Sequence, residues 1–277
     1  MTTLSTFTAL DGENLAVQDW PLADGERLRG VVVLVHGLGE YAGRYDALAT
    51  RLNAWGFAVR GYDQYGHGDS GGDRGALPSN DRLLEDLADV IDSTRRRMRA
   101  GLPLILLGHS MGGLVAGRFV SLRVRPVDAL VMSSPALDAG LGPLQRLLVA
   151  VLPKLAPDFR MGNGLNADYL SHDPAVVQAY RDDPLCHDRI SARLAAFIAN
   201  AGPATVARAP KWRVPTLLMY AGDDRLVAPA GSRAFAAAAP PDLTTARCFE
   251  GLYHEIFNER DNQAVFATFK DWLDARF

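Results

Sequence analysis

An α/β architecture, with a mostly parallel central sheet, helices on both faces and an inserted helical cap, is what this chain of 277 residues predicts. Three observations carry the expectation. Short runs such as "VVVLVHG" and "LPLILLG" are apolar at nearly every position, the texture of strands buried on both faces. Helical patterns with one apolar stripe fall between such runs, and that alternation calls for parallel strands joined by crossover helices. The alternation then lapses between Pro135 and Arg213 and resumes afterwards.

The chain opens on a hairpin pattern, "STFTAL" and "NLAVQDW" around the turn signal "DGE". After strand "VVVLVHG" come a helix in "GRYDALATRLNAWG", strand "FAVRGYD" and the Gly-rich loop "QYGHGDSGGDRG". The next helix has Ser79 and Asn80 as candidate N-caps and Leu83, Leu84, Leu87, Val90 and Ile91 on one face. Glu85, Asp86 and Asp89 lie towards its start and Arg95, Arg96, Arg97 and Arg99 towards its end. That order suits the helix dipole, so the arginines need no ligand to explain them. Strand "LPLILLG", helix "MGGLVAGRFVSL" and strand "DALVMSS" follow. In the lapse, "LQRLLVAVLPKL" sets Leu144, Leu147, Leu148, Val151, Leu152 and Leu155 on one helical stripe, with Pro153 predicting a short or kinked helix. Strand "VPTLLMY", helix "AGSRAFAAAA", strand "TTARCFE" and helix "NQAVFATFKDWLDARF" complete the pattern. The expected division is residues 1–136 and 213–277 for the core and 137–212 for the helical insertion.

Composition narrows the function. Hydrophobic residues make up 48% and charged residues 22%, the profile of a globular enzyme rather than a disordered or membrane-spanning chain. A net charge of -3 offers no basic face to a nucleic acid, so none is expected as a partner. Cys186 and Cys248 are the only cysteines and lack ligand spacing, which predicts apolar fillers rather than a disulfide or a zinc site. The N-terminus lacks a charged start followed by an apolar stretch, and no apolar run approaches the ~18 residues of a membrane span. A cytoplasmic location is expected.

The chemistry starts at "GHSMGG", Gly108 to Gly113, where a buried strand runs into a helix. A turn that tight strains the backbone at Ser110, lifts its hydroxyl at the carboxyl edge of the sheet and leaves no room for a Cβ at 108 or 112. The N–H of Met111, at the helix N-terminus, can face a developing oxyanion. A serine hydroxyl needs a base, and the base an acid to hold it. Of six histidines, His109 should point away from the serine, His36 and His67 suit structural hydrogen bonds, and His172 and His187 fall in the insertion. His254 follows the last strand, where a loop at the same edge returns to Ser110, and the order serine, acid, histidine is the one this arrangement uses. Between them only "YAGDDRL" ends a strand with carboxylates, and Asp223 and Asp224 both qualify by position; adjacent side chains diverge, so one holds the imidazole and the other serves Arg225, loop amides or water. "HGLGE" supplies a second oxyanion donor in the N–H of Leu38. The chemistry so assembled is acyl transfer to water, which calls for no cofactor and no metal.

With these residues placed, the chain resembles the monoacylglycerol lipase group of serine α/β-hydrolases, a group that includes lysophospholipase-like members. "HGLGEYAGRYDALA", "DQYGHGDSGG", "GHSMGG", "DDPLC", "VPTLLMYAGDDRLV" and "EGLYHE" come in the family's order from Gly30 onward. The resemblance implies the α/β-hydrolase fold, Ser110 as nucleophile, His254 as base, Leu38 and Met111 as oxyanion donors, and Asp224, directly before "RL", as the acid. It implies further that the insertion is a cap lining an acyl tunnel, whose amphipathic helix touches a membrane or micelle. The Leu144 to Leu155 stripe could instead pack on the core beneath it. Expected first is hydrolysis of fatty acid monoesters of glycerol, and next the same triad acting on lysophospholipids or simple carboxylic esters. A silent ligand-binding relative would commonly lack one of the three residues, and an epoxide hydrolase of this fold would carry aspartate where Ser110 stands.

Overall fold

The computed structural model describes residues 2–9, 12–23 and 25–277. Strands β1 (Thr3–Thr8) and β2 (Asn14–Trp20) form the expected antiparallel hairpin, with Thr8 opposite Asn14. The expected turn begins at Asp11, outside the described residues; Gly12 after it takes φ 89°, the left-handed region that favours glycine.

The alternating part then runs β3 (Gly30–Val35), α1 (Asp46–Ala54), β4 (Phe57–Tyr62), α2 (Arg82–Arg97), β5 (Leu104–His109), α3 (Met111–Leu122) and β6 (Ala129–Ser133). Chain 137–212 supplies α4 (Pro143–Leu155), β7 (Arg160–Gly162), α5 (Pro174–Asp182), β8 (Arg189–Ser191) and α6 (Ala192–Val206). After residue 212 the alternation resumes with β9 (Thr216–Ala221), α7 (Pro229–Ala238), β10 (Thr244–Phe249) and α8 (Gln263–Asp274).

One eight-stranded sheet results, in the order β1-β2-β4-β3-β5-β6-β9-β10. Pairing is parallel from β4 to β10, and β2 joins β4 antiparallel. Because side chains alternate across a strand, β3 sends Val33 and Val35 to one core and Val32 and Leu34 to the other. The first core is closed by α2, α3 and α7, the second by α1 and α8. All six residues of β3, β5 and β9 are buried, which is why those runs read as apolar throughout.

Three details differ from the sequence reading. Helix α2 starts at Arg82 with Asp81 at the cap and no side-chain cap bond, so neither Ser79 nor Asn80 caps it. The chain at Asp81 has already turned helical, and its carbonyl accepts from the N–H groups of Leu84 and Glu85. Helix α4 continues past Pro153 to Leu155, since a proline in a last turn forfeits one backbone bond and disturbs no later turn. The insertion also holds a small ribbon, β7 antiparallel to β8, whose three-residue strands are too short to show a period of two. Among the described residues no helix is long and apolar enough to cross a membrane.

Candidate active site

The parallel strands deliver three loops to one edge of the sheet. Between β5 and α3, Ser110 has φ 53° and ψ -119°, a conformation that costs a side-chain-bearing residue ~1–3 kcal/mol. Neighbouring backbone holds it there: its N–H donates to the Ser133 carbonyl at 2.9 Å, and its carbonyl accepts from Leu114 and Ala136 at 3.0 Å. A Cβ on Gly108 would collide with the Gly112 carbonyl, and one on Gly112 with the carbonyls of Val35 and His36. The turn is closed to any larger residue at either position.

After β9, Asp224 Oδ1 accepts from the N–H groups of Leu226 (2.9 Å) and Val227 (3.1 Å), while Oδ2 faces His254 Nδ1 at 2.7 Å. Asp223 turns outward to Arg225 at 3.2 Å. Of the two carboxylates, Asp224 is thus the one that faces the imidazole. Burial, the largest influence on the Asp224 carboxyl, acts to raise it, but His254 and the loop amides outweigh that and hold it below its ordinary value. Burial would likewise lower the His254 imidazole; Asp224 first, then Glu255 and Glu40, reverse the effect and raise it.

The other histidines stand elsewhere. His36 donates from Nδ1 to the Gly37 carbonyl (2.7 Å) and accepts the Gln64 N–H at Nε2 (2.9 Å), and His67 Nδ1 lies 3.0 Å from the Tyr65 carbonyl. His172 stacks on Tyr253 and pairs with Glu259 at 2.8 Å. His109 leaves the turn towards Ser133 Oγ (3.2 Å), yet its ring lies 4.7 Å from that of His254 and is driven down to about 3 by burial and by that neighbour.

Two cavities meet at Ser110. The larger, about 400 Å³, is lined by Leu38, Met111, Leu141, Leu148, Leu152 and Ile198 among others, and no charged residue borders it among the described residues. The smaller, about 160 Å³, is bordered by Leu38, Ser110 and His254 and by a charged cluster absent from the sequence reading. In that cluster Glu40 Oε1 accepts from the Gly37 N–H (2.5 Å) and the Tyr45 hydroxyl (2.6 Å), and Arg44 bridges Glu40 (2.5 Å) to Glu255 (2.7 and 3.0 Å). Burial would raise the Glu255 carboxyl, but Arg44 brings it down to about 2. The cluster thus ties the loop carrying Leu38 to the loop carrying His254. Its signal was present: "HGLGE" and "YHE" each place a glutamate beside a residue assigned to the chemistry.

The insertion reaches the same loops. The Gly39 carbonyl accepts from the His187 N–H (2.9 Å) and the Tyr180 hydroxyl (3.2 Å), and with φ 74° a Cβ at Gly39 would strike the His187 carbonyl. Glu255 donates its N–H to the Leu170 carbonyl at 2.8 Å.

A serine raised on the strained turn after a central strand, at the edge where a buried histidine is held by an aspartate, is the arrangement of the α/β-hydrolases. Within that class the chain belongs to the family described as serine aminopeptidase, S33, whose model matches residues 26–261. It is 35% identical to a monoacylglycerol lipase of Mycolicibacterium smegmatis over 97% of this chain and 95% of that one. Among solved structures it is similar to the monoacylglycerol lipase of Paleococcus ferrophilus, with a TM-score of 0.83, 34% identity and coverage of 94% and 98%. A soluble variant of the Saccharomyces cerevisiae monoglyceride lipase in complex with a substrate analogue gives a TM-score of 0.88 at 25% identity, covering 99% and 94%. The resemblance read from the motifs is upheld.

Proposed function

We propose that this chain is a serine esterase that hydrolyses monoacylglycerols to fatty acid and glycerol through an acyl-enzyme. The observation that carries the reading is the pair of unlike cavities meeting at Ser110, one uncharged and able to take an acyl chain, the other small, bordered by charged side chains and next to His254. His254 Nε2 takes the Ser110 proton as Oγ attacks the ester carbonyl, and Asp224 steadies the imidazolium through Nδ1. The N–H groups of Leu38 and Met111 hold the oxyanion. The intermediate collapses, His254 protonates the departing alcohol, and a water activated by the same imidazole releases the acid.

The family's description also invites an aminopeptidase reading. Such an enzyme must hold a free ammonium on the acyl side of the scissile bond, and the large cavity borders on no carboxylate among the described residues. An uncharged acyl chain suits it better.

Residues 137–212 act in this proposal as a cap. No residue of α4 is buried, and Leu144 (69% exposed) and Leu155 (78%) face outward, while Leu148 and Leu152 line the large cavity. One helix thus borders the acyl site and offers an apolar edge to a micelle or membrane surface, which fits a cytoplasmic enzyme working at the periphery of a membrane. The test is a rate profile on monoacylglycerols of graded chain length, with fluorophosphonate labelling of the wild type and of Ser110→Ala. Fatty acid release and loss of labelling in the variant are expected; no release from any chain length would end the proposal.

A further inference from the structure

The two cavities differ in charge as well as in size. Besides the imidazoles of His109 and His254, the small one is bordered by three carboxylates, Glu40, Glu255 and Asp188, and by one guanidinium, Arg44. Arg44 is already committed: Nη1 donates to Glu40 and Glu255, Nη2 to Glu255, and its face lies 5.0 Å from the Tyr180 ring centroid. Those paired N–H groups are the ones with which a guanidinium ordinarily grips phosphate. The Glu40 and Glu255 side chains are 4% and 5% exposed, so the carboxylate charge that Arg44 leaves uncompensated is poorly screened. Asp188 stands at the outer wall, paired only with its neighbour Arg189 at 3.3 Å among the described residues.

The geometry points to a charge filter on the leaving alcohol: the small cavity accepts an uncharged polyol and rejects a head group bearing phosphate or another anion. The inference rests on the esterase reading, with the acyl chain in the large cavity. A polyol has hydroxyl protons to donate to Glu40 and Glu255. A phosphate has none at neutral pH beyond what it retains. It would have to displace a carboxylate from Arg44, leaving a buried charge unpaired, and it would do so against like charge. Arg44 therefore serves the wall of the cavity and does not act as an anion receptor.

The experiment compares kcat/KM of the full chain on two esters with the same acyl group in the same micelle, a monoacylglycerol and the corresponding lysophosphatidate. The wild type is expected to favour the neutral ester by at least about 100-fold, the scale of like-charge repulsion at a shielded site. Glu255→Gln should narrow that ratio about tenfold, and Asp188→Asn, at an exposed position, about twofold. Both esters use the same serine and histidine, so a damaged fold or a shifted His254 lowers the two rates together and leaves the ratio unmoved. Comparable rates on both esters in the wild type, or an unchanged ratio in an active Glu255→Gln, would overturn the filter. Should Glu255→Gln not fold, the wild-type ratio and Asp188→Asn decide. If no glycerol ester is cleaved, the functional reading fails by itself. The filter is then judged on butyrate esters of an uncharged and a carboxylate-bearing alcohol, where preference for the uncharged one sustains it and indifference refutes it.

Discussion

Helices α2 and α4 carry the same kind of apolar stripe and meet opposite fates. In α2, Leu83, Leu84, Leu87, Val90 and Ile91 are all buried against the sheet, whereas α4 has no buried residue and exposes Leu144, Leu147, Leu148, Val151 and Leu155. A periodic pattern identifies which face of a helix is apolar but not what will cover it. For α2 the cover is the strand layer beside it; for α4 it is a cavity on one side and open surroundings on the other. The buried element answers to stability, and α4, in the proposed cap role, to substrate.

The sharpest way to test that division is to touch the chemistry, which the core loops alone should carry. Asp224→Asn is expected to lower turnover by about 10⁴-fold and Asp223→Asn by no more than about threefold, measured as kcat on a water-soluble short-chain ester. A comparable loss from any α4 substitution on that ester would break the comparison. Next in size is Leu87→Ala in α2, expected to cost ~2–5 kcal/mol in urea unfolding while leaving kcat/KM of the folded enzyme intact. Leu155→Ser should stay within ~0.5 kcal/mol; if it costs as much as Leu87→Ala, the outer face of α4 is packed after all. If α4 meets a lipid surface as proposed, Leu144→Ser with Leu147→Ser should reduce the rate on vesicle-borne monoacylglycerol about tenfold and spare the soluble ester, because each substitution removes a share of that contact.

The smallest effect concerns pH. In the proposed mechanism His254 is neutral when it accepts the serine proton, and its surroundings raise it above the ordinary imidazole value of 6.5. Activity is therefore expected to fall as pH drops through a midpoint above that value. Glu255 contributes to the raising, so Glu255→Gln should move the midpoint down by up to about one unit, seen in the pH profile of kcat/KM. A profile that does not move would mean that Glu255 acts on the cavity wall and not on the imidazole.

Much of this was legible beforehand. Continuous apolar runs announced β3, β5 and β9 because strands buried on both faces have no polar side to show. Ser110 was legible because its turn admits only glycine at 108 and 112, a steric demand written directly into the sequence. The choice between Asp223 and Asp224 was not, since neighbouring carboxylates are separated only by the direction each takes in a folded loop; the motif's resemblance supplied it. Glu40, Arg44 and Glu255 escaped for a related reason. Each glutamate stands near a residue of the site and Arg44 lies four positions from Glu40, but Arg44 and Glu255 lie 211 positions apart, so the ion pair that joins the two loops is made only by long-range folding.

The carbonyl of Gly39 has a practical bearing on how such enzymes are recombined. Both of its donors, the His187 amide and the Tyr180 hydroxyl, come from the inserted segment, while the loop they hold carries Leu38. The segment is consequently not an accessory that can be trimmed to obtain a minimal catalyst, or traded for a foreign one to change selectivity. Any replacement would need two hydrogen-bond donors aimed at that one oxygen, and a backbone that passes close enough to require glycine opposite it. A transplant chosen only for the shape of its acyl tunnel would deliver substrate to a loop out of register.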